Sequence, residues 1–220
     1  TQYLVLMDDE LAIELGADVF GAVPEVFINA DGIKKSVSAP GIGNYISFSK
    51  AVAAATRIAG EASVRNHSFV HAHGSSTPAN RRTESELIDR IARTFDLFDW
   101  PVTATKSFVG HSLSAASGDQ LISALGTFRY HVIPGIKTIK EVAPDVFQER
   151  AIFPLQDVDV NDRQMHVAFI NSKGFGGNNA TAVVLSPIRL NSMLRSRHKE
   201  KFDRYLLLRE RTRCKAEAYS

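Results

Sequence analysis

The chain has 220 residues, of which 44% are hydrophobic and 23% are charged, and its formal net charge is +2. This composition excludes the disordered and fibrous classes, and the small net charge argues against a nucleic-acid partner. Its single cysteine, Cys214, excludes an intrachain disulfide and a CxxC metal pair.

Signals for a membrane or for secretion are not visible in the sequence. No apolar run approaches the ~20 residues that a membrane helix needs. The N-terminus has no positive segment followed by a long apolar one. We therefore expect a soluble protein in the reducing cytoplasm, with no membrane partner. Because the chain begins at Thr1 and runs directly into an apolar stretch, we expect it to be part of something longer.

The first half of the chain alternates predicted strands with predicted helices. Pro24 favours an edge or a bulge in its strand. In chain order we predict a strand over 3–7 (YLVLM), a short helix or turn over 8–18 that stops near Gly16, a strand over 19–31, a loop over 39–43, a helix over 44–60 and a strand over 68–73.

The second half repeats this alternation, so we predict an α/β fold with a mixed sheet and flanking helices, whose ligands bind at strand ends. The predicted elements are an amphipathic helix over 83–98 with Leu87, Ile88, Ile91, Phe95 and Phe98 on one face, a strand over 101–106, a helix over 112–130, strands over 166–172 and 180–186, and a charged helical extension at the end. Residues 195–220 hold nine Lys or Arg and four acids, a net of +5.

Three stretches share one plan, in which a strand runs into a loop of small residues. They are HAHGSSTP (71–78), TKSFVGHSLSAAS (105–117) and NSKGFGGNNA (171–180). In the second, Lys106 lies at a strand end and His111 opens a helix. The partial positive charge of a helix N-terminus disfavours imidazolium, so we predict a neutral His111 that can polarise a carbonyl oxygen.

In the third stretch, glycines permit tight turns with exposed backbone amides around Phe175. Such amides can form part of an oxyanion hole. The pattern fits neither a Walker loop nor a Rossmann fingerprint.

A histidine at a strand end is more often structural than catalytic, and His71 fits the structural interpretation. A zinc site built from His71, His73 and His111 is conceivable. No carboxylate or thiol is obviously placed to complete it, so we predict no metal. We also predict no cofactor.

Together the three stretches resemble the β-ketoacyl-[acyl-carrier-protein] synthases, which are condensing enzymes of the thiolase superfamily. That family carries His-Gly-Thr-x-Thr-Pro, Lys-Ser-x-x-Gly-His and Asn-Ser-Phe-Gly-Phe-Gly-Gly-x-Asn. This chain has HGSSTP at 73–78, KSFVGH at 106–111 and NSKGFGGNN at 171–179, in the same order and at similar separations. The resemblance covers roughly residues 1–188.

The resemblance implies a role for each matching residue. His73 and His111 match the two histidines that donate hydrogen bonds to the thioester carbonyl of malonyl-carrier protein while CO₂ leaves. Lys106 matches the lysine that supports this site, and Glu84 matches the glutamate beside it. The remaining matches are Ser75 and Thr77, whose hydroxyls hydrogen-bond the pantetheine arm, Phe175, a gating residue whose N–H belongs to the oxyanion hole, and Gly176, a substrate-binding position.

The resemblance also has gaps. Lys173 replaces the first Phe of the last motif, Arg81 stands where the family has Asp, and Ser75 replaces Thr. The family's nucleophile is a cysteine at a helix N-terminus. Cys214 lies far along the tail from every motif, so we interpret it as non-catalytic.

The chain therefore resembles the C-terminal half of a ketosynthase, one of two similar halves of a five-layer αβαβα fold. We predict a thiolase-like ketosynthase domain over 1–188 and a basic helical extension over 189–220. The resemblance implies an acyltransferase that performs decarboxylative Claisen condensation in fatty-acid or polyketide synthesis. Implied partners are acyl carrier protein or acyl-CoA, an N-terminal half that carries the cysteine, and a second copy of the complete enzyme.

Two alternatives stay open. One is a ketosynthase-like partner subunit without a nucleophile, akin to a chain-length factor. Retention of His73, Lys106 and His111 favours the catalytic interpretation over this one, because a purely structural partner does not need them. The other is an isolated binding domain, for which the basic tail is the only support.

Overall fold

The computed structural model describes residues 2–32 and 41–219. Up to residue 130 helices separate the strands, as the sequence predicts, and five strands then follow one another. The strands are β1 (Ala22–Ala30), β2 (Ser68–His71), β3 (Trp100–Thr103), β4 (Val132–Ile133), β5 (Ala151–Ile152), β6 (Val158–Asp159), β7 (Val167–Gly174) and β8 (Asn178–Leu185). The helices are α1 (Asp9–Leu15), α2 (Ile42–Ala59), α3 (Glu61–Asn66), α4 (Pro78–Thr94), α5 (Lys106–Val109), α6 (Ala116–Tyr130) and α7 (Pro187–Tyr219).

The main sheet has six strands in the order β1-β8-β7-β2-β3-β5. Strands β7, β2, β3 and β5 are parallel, whereas β8 runs antiparallel to both β7 and β1. The predicted α/β class with a mixed sheet is therefore confirmed. Pro24 lies on the edge strand β1, where the pairing with β8 shifts register between Ala22 and Glu25, as the sequence predicts for this proline.

Alternating side chains of the sheet build two hydrophobic cores. Val70, Val102 and Phe169 point to one face, where they pack with buried residues of α2 and α4 around Trp100. Phe69 and Ile170 point to the other face and pack with α6. Both faces of the central parallel strands are buried, and polar residues within them, such as Ser68 and Thr103, are buried as well. The residues of the three sequence motifs cluster at and beyond the ends of β2 and β3.

The N-terminal residues 3–7, predicted as a strand, belong to no strand or helix. Tyr3, Val5 and Leu6 are exposed. Val and Tyr favour strands only where a neighbouring strand and a packed face are available. Here the segment passes α6, where the Gln2 side chain bonds Asp119.

Other boundaries also differ from the sequence predictions, among them the end of β3, which stops at Thr103 and not at Lys106. The predicted 39–43 loop falls partly outside the described residues, and helix α2 already begins at Ile42. Helix α4 begins at Pro78, five residues before the predicted start, because a proline suits the first helical position. The same helix ends at Thr94, so Phe98 is exposed and Leu97 takes its place in the core.

The charged extension forms α7, which bends at Lys199. Its apolar side chains Leu194, Phe202 and Tyr205 bury Ile13 of α1. Polar contacts flank this small core, because His198 Nε2 lies 2.7 Å from Asp9 Oδ2 and Arg213 bonds Asp18. Within the described residues, no helix is long and apolar enough to cross a membrane.

Gly16 allows α1 and α7 to meet, which yields a test of their packing. Gly16 ends α1 at φ 62°, and a Cβ placed on it would lie 2.3 Å from Leu208 Cβ. We expect Gly16→Ala to lower the free energy of unfolding by about 2–4 kcal/mol, since a left-handed non-glycine residue and overpacking each cost about 1–3 kcal/mol. Urea unfolding measures this change.

Gly126→Ala provides the matched control. A Cβ at Gly126, inside α6, meets no described atom within 4 Å. This variant should be stabilised by about 0.5–1 kcal/mol, because glycine is entropically costly in a helix. Equal stability changes in the two variants would contradict the proposed contact between Gly16 and α7.

Candidate active site

The carboxyl ends of three parallel strands meet at one edge of the sheet. His71 of β2 pairs with Thr103 of β3 and Ile170 of β7, so β2 and β3 end at the level of Ile170, from which β7 continues to Gly174. The loops that follow them carry the three stretches singled out in the sequence. Ligands of open α/β sheets bind at such an edge.

The carboxylate of Glu84 is the centre of this edge. It lies on α4, is 4% exposed and accepts four hydrogen bonds. Oε1 accepts from the His73 N–H (2.7 Å) and Asn171 Nδ2 (2.8 Å), and Oε2 accepts from the Gly74 N–H (2.9 Å) and Asn80 Nδ2 (3.1 Å). Burial alone raises the pKa of Glu84, but His73, Lys173 and these hydrogen bonds outweigh burial and lower it. Glu84 is therefore an ionised anchor for the turn that presents His73.

The ring of His73 is buried and held in one tautomer. Its Nδ1 accepts a hydrogen bond from the Lys173 N–H at 3.2 Å. A neutral imidazole that accepts at Nδ1 carries its proton on Nε2. Burial lowers the pKa of His73 to about 4, helped by Lys106, His111 and Lys173 and opposed by Glu84. Near neutral pH, His73 thus offers an Nε2–H donor.

His111 faces His73 and has the same tautomer. The ring centroids are 5.2 Å apart and the planes are nearly perpendicular, at 79°. Nδ1 of His111 accepts from the Leu113 N–H at 3.1 Å, which leaves the proton on Nε2. Burial lowers the pKa of His111, and Lys106 lowers it further.

The predicted cause of this neutrality is wrong. His111 does not open a helix, because residues Leu113–Ala115 form a 3₁₀ turn and α6 begins only at Ala116. Leu113 has a φ of 56°, which an α-helix cannot accommodate. A helix N-terminus acts only over its first turn, so burial and Lys106, rather than the helix dipole, account for the lowered pKa of His111.

Lys106 begins α5 beside both histidines. Its Nζ is buried and has no hydrogen-bond partner among the described atoms. Burial lowers the pKa of Lys106, while Glu84 and Asp119 oppose the shift. An ammonium group without a protein partner is a donor that a ligand oxygen can use.

His71 occupies a different environment from His73. It is fully buried, its ring centroid lies 5.5 Å from that of Phe69, and Nδ1 lies 3.2 Å from Thr105 Oγ1. Burial, and then Lys106, lowers its pKa to about 3. The structure therefore places His71 in the core, not beside His111, and within the described residues no three His, Cys, Asp or Glu side chains are grouped to hold a metal.

A cavity of about 610 Å³ lies beside these groups. Ser75, Thr77, Lys106 and His111 contribute polar groups to its wall. The Ser75 and Thr77 hydroxyl oxygens are 3.5 Å apart. Apolar side chains complete the wall, namely Ile88, Val102, Ile136, Ile139, Val142, Val146 and Phe153.

Phe175 and Gly176 lie on the tight turn between β7 and β8. Gly176 and Gly177 both have a φ of 78°, which favours glycine, and the Phe175 side chain is 82% exposed. The turn meets the histidines through the Lys173 N–H, two residues before Phe175. The structure thus groups His73, Glu84, Lys106 and His111, with Ser75 and Thr77 on the adjoining cavity and the glycine turn next to them.

Sequence reasoning assigned no role to Asn80 and Asn171, although both hold Glu84. Asn80 lies one helical turn before Glu84 on α4, and this i, i+4 spacing is a signal that could have identified it. Asn171 lies in the third motif, but its bond to Glu84 joins residues 87 positions apart. Periodicity does not reveal such a contact. Arg81, which departs from the family pattern, pairs with Asp145.

The arrangement suits the stabilisation of a negatively charged oxygen. Two neutral imidazoles present Nε2–H groups near one another, and the charge of Lys106 is close. Donors that are already oriented lower the barrier for a reaction that develops an oxyanion, because no reorganisation is needed. Cys214, by contrast, is an exposed residue of α7.

Comparison with known families gives one domain match. The family model described as "Beta-ketoacyl synthase, C-terminal domain" matches residues 20–140. Beta-ketoacyl-[acyl-carrier-protein] synthase FabY of Pseudomonas aeruginosa is 61% identical over 220 residues, which is 100% of this chain and 34% of FabY. The 3-oxoacyl-[acyl-carrier-protein] synthase 2 of Synechocystis is 30% identical over 183 residues, or 81% of this chain and 40% of the relative.

Solved structures agree with these matches. The crystal structure of the noncanonical ketosynthase FabY from P. aeruginosa has a TM-score of 0.93 and covers 97% of this chain and 33% of its own. The ishigamide ketosynthase/chain length factor has a TM-score of 0.64 at 26% identity, covering 80% of this chain and 40% of its own. The chain therefore spans about a third of the length of FabY.

The lowered pKa of His73 can be tested by titration. We expect its ring to stay neutral until the pH approaches about 4 in the folded chain, whereas the same ring in the unfolded chain should titrate near about 6.5. Because the unfolded state binds the proton first, stability should fall as the pH drops through this window.

Histidine ring NMR signals, followed against pH in buffer and in urea, measure both midpoints. A folded midpoint of His73 near that of the urea-unfolded chain would contradict the buried, Nε2-protonated ring.

Proposed function

Because the chain belongs to the β-ketoacyl synthase family, we propose that it supplies the decarboxylation half of a condensing acyltransferase. The thiolase-like fold predicted from the sequence is confirmed by the FabY structure. The proposed reaction is decarboxylative Claisen condensation of malonyl-carrier protein with an acyl thioester, in fatty-acid or polyketide synthesis.

The pair of Nε2–H donors carries this proposal. Each Nδ1 is occupied by a backbone N–H, Lys173 for His73 and Leu113 for His111, so each ring directs its only proton from Nε2. When a malonyl thioester loses CO₂, the electrons of the breaking C–C bond form an enolate and charge gathers on the thioester oxygen. Two fixed donors to that oxygen stabilise the charge in the transition state.

Lys106 and Glu84 are proposed to set the electrostatic potential around His73 and His111. The ammonium of Lys106, which has no hydrogen-bond partner among the described atoms, keeps positive potential at the site and lowers the pKa of both histidines. Glu84 fixes the His73 backbone rather than exchanging protons with substrate, because its four hydrogen bonds already occupy its oxygens.

Ser75, Thr77, Phe175 and Gly176 are proposed to hold the rest of the thioester. The hydroxyls of Ser75 and Thr77 line the cavity and can bond the amides of a pantetheine arm. The Phe175 ring is exposed, and the glycines that follow it give the backbone of the turn conformational freedom. Both features suit a gating role. We propose that the Phe175 N–H contributes to the oxyanion hole of the acyl-transfer step.

The remaining parts of the reaction are proposed to lie on other polypeptide. The nucleophilic cysteine is expected in an N-terminal half, acyl carrier protein or acyl-CoA delivers the thioesters, and the complete enzyme is proposed to be a homodimer. The division at residue 188 into a ketosynthase domain and a helical extension also remains a proposal. The boundary falls next to Pro187, where α7 begins.

The first prediction from this proposal concerns Cys214. This exposed cysteine is not part of the site, so the chain alone should not form an acyl-enzyme with acyl-carrier protein or acyl-CoA. Intact mass after incubation measures acylation, with Cys214→Ser as the control. Stoichiometric acylation that Cys214→Ser abolishes would contradict the proposed division of roles.

The second prediction concerns the two histidines in the complete synthase. His73→Ala and His111→Ala should each slow decarboxylation of malonyl-carrier protein by about a hundred- to a thousand-fold, the usual cost of one oxyanion donor. Acyl transfer to the cysteine should remain largely intact. The two losses should not add, because both donors serve one oxygen.

Release of CO₂ and formation of acyl-enzyme are measured separately. His131→Asn is the control, because His131 has a φ of 56° at the end of α6 and asparagine tolerates that conformation. Decarboxylation at the native rate in both alanine variants would refute the role of the pair and favour a non-catalytic partner subunit.

A further inference from the structure

Strands β2 and β7 separate just before the two motif loops. Their parallel ladder runs to the pair His71–Ile170. One residue later, the N–H of Ala72 donates to Thr103 O of β3 at 2.9 Å instead. The carbonyl groups of β2 that face this gap between β2 and β7 need other hydrogen-bond donors, because the ladder no longer supplies them.

The side chain of Gln120 reaches from α6 into the gap between β2 and β7. Its side chain is buried, with 1% exposed. Nε2 lies 3.2 Å from His71 O, 2.8 Å from Ala72 O and 3.1 Å from Asn171 O. Oε1 accepts from Ser172 Oγ at 3.1 Å. Three carbonyl acceptors on one side and a hydroxyl on the other fix the orientation of this amide.

We propose that Gln120 is a positioning residue that clamps the end of β2 to Asn171 of β7 and thereby aims the Nε2–H of His73. This inference rests on the proposed function for its catalytic consequence. The hydrogen bonds that Gln120 makes do not depend on which reaction the site performs.

The peptide group between Ala72 and His73 connects Gln120 to the His73 ring. Its C=O accepts from Gln120 Nε2 at 2.8 Å, and its N–H donates to Glu84 Oε1 at 2.7 Å. The plane of this peptide is therefore held at both ends by buried side chains. Since the peptide carries the Cα of His73, a rotation of its plane moves the ring.

The same amide also holds the partner of the His73 ring. Gln120 Nε2 contacts Asn171 O, and Asn171 Nδ2 donates to Glu84 Oε1. Two residues later, the Lys173 N–H donates to His73 Nδ1. Gln120, the His73 peptide, Glu84 and Asn171 thus form a closed ring of hydrogen bonds. Loss of Gln120 removes the bonds from α6 to Ala72 O, beyond the end of β2, and to Asn171 O of β7 at once.

Gln120→Met in the complete synthase tests the proposal. Methionine keeps the length and flexibility of the side chain but removes both amide atoms. We expect kcat for malonyl decarboxylation to fall about ten- to a hundred-fold with little change in KM for malonyl-carrier protein, because a displacement near 1 Å has this effect on an oriented group. Acyl transfer to the cysteine should change less.

Thr127→Val is the matched control. Thr127 is buried on the same helix, 2% exposed, and its hydroxyl has no hydrogen-bond partner among the described atoms. This variant also replaces a buried polar group of α6, but it removes no bond to β2 or β7. Its decarboxylation rate per folded molecule should equal that of the native enzyme.

Gln120→Glu provides a rescue that a purely structural role does not predict. An ionised carboxylate facing three carbonyl oxygens repels them, whereas its protonated form can donate one hydrogen bond. Burial raises the pKa of such a group, so the rate relative to the native enzyme should rise as the pH falls from about 8 to about 6. His73 remains neutral over this range because its pKa is about 4. The relative rate of Gln120→Met should not change with pH.

The ¹⁵N shifts of His73, measured in the chain, test the clamp without any assay of activity. In Gln120→Met we expect them to move towards mixed tautomers, and in Thr127→Val to stay native. Native shifts together with native decarboxylation in Gln120→Met would overturn the proposal. If the shifts move but the native synthase does not decarboxylate malonyl-carrier protein, the clamp stands and the proposed function fails.

Discussion

The site depends on one buried charge, the carboxylate of Glu84. Removing a carboxylate from water is costly unless its oxygens are bonded and its charge is balanced. Here four donors come from the turn after β2, from α4 and from β7, and Lys106 and Lys173 supply positive charge nearby. The cost of burial is therefore offset only when three separate elements are correctly placed. The same condition orients His73, so the stability of the fold and the geometry of the site are linked.

Other buried polar groups connect this centre to the glycine turn. Asn171 Oδ1 accepts from Thr181, whose hydroxyl is 3.3 Å from that of Ser47 on α2. At the start of β8, two residues before Thr181, Asn179 donates to Gly177 O and to Asp31. Satisfied buried polar networks specify a single arrangement, because each lost bond leaves a costly orphan. The turn that carries Phe175 is therefore anchored on the same strands as the histidines.

The sequence predicted what depends on local pattern. Hydrophobic periodicity located the strands and helices that bury the sheet, and the three strand-to-loop stretches indicated where the site lies. Local pattern failed where a distant partner decides. The apolar segment 3–7 forms no strand, and the turn after His111 is not helical because Leu113 adopts a positive φ. In the sequence, Gln120 is one polar residue in a helix rich in small residues. Its role is not visible there, because the carbonyl groups that accept its hydrogen bonds lie 48 to 51 residues away.

Neutral histidines suit this site better than charged ones. An imidazolium would already repel Lys106, and it would attract carboxylates, including the substrate carboxylate of the proposed decarboxylation. A neutral ring instead offers one directed Nε2–H donor, and Lys106 supplies the long-range positive potential. The backbone donors at Nδ1 favour this form, because an Nδ1 that accepts from Lys173 or Leu113 leaves the ring proton on Nε2. The lowered pKa values of the two rings also favour the neutral form.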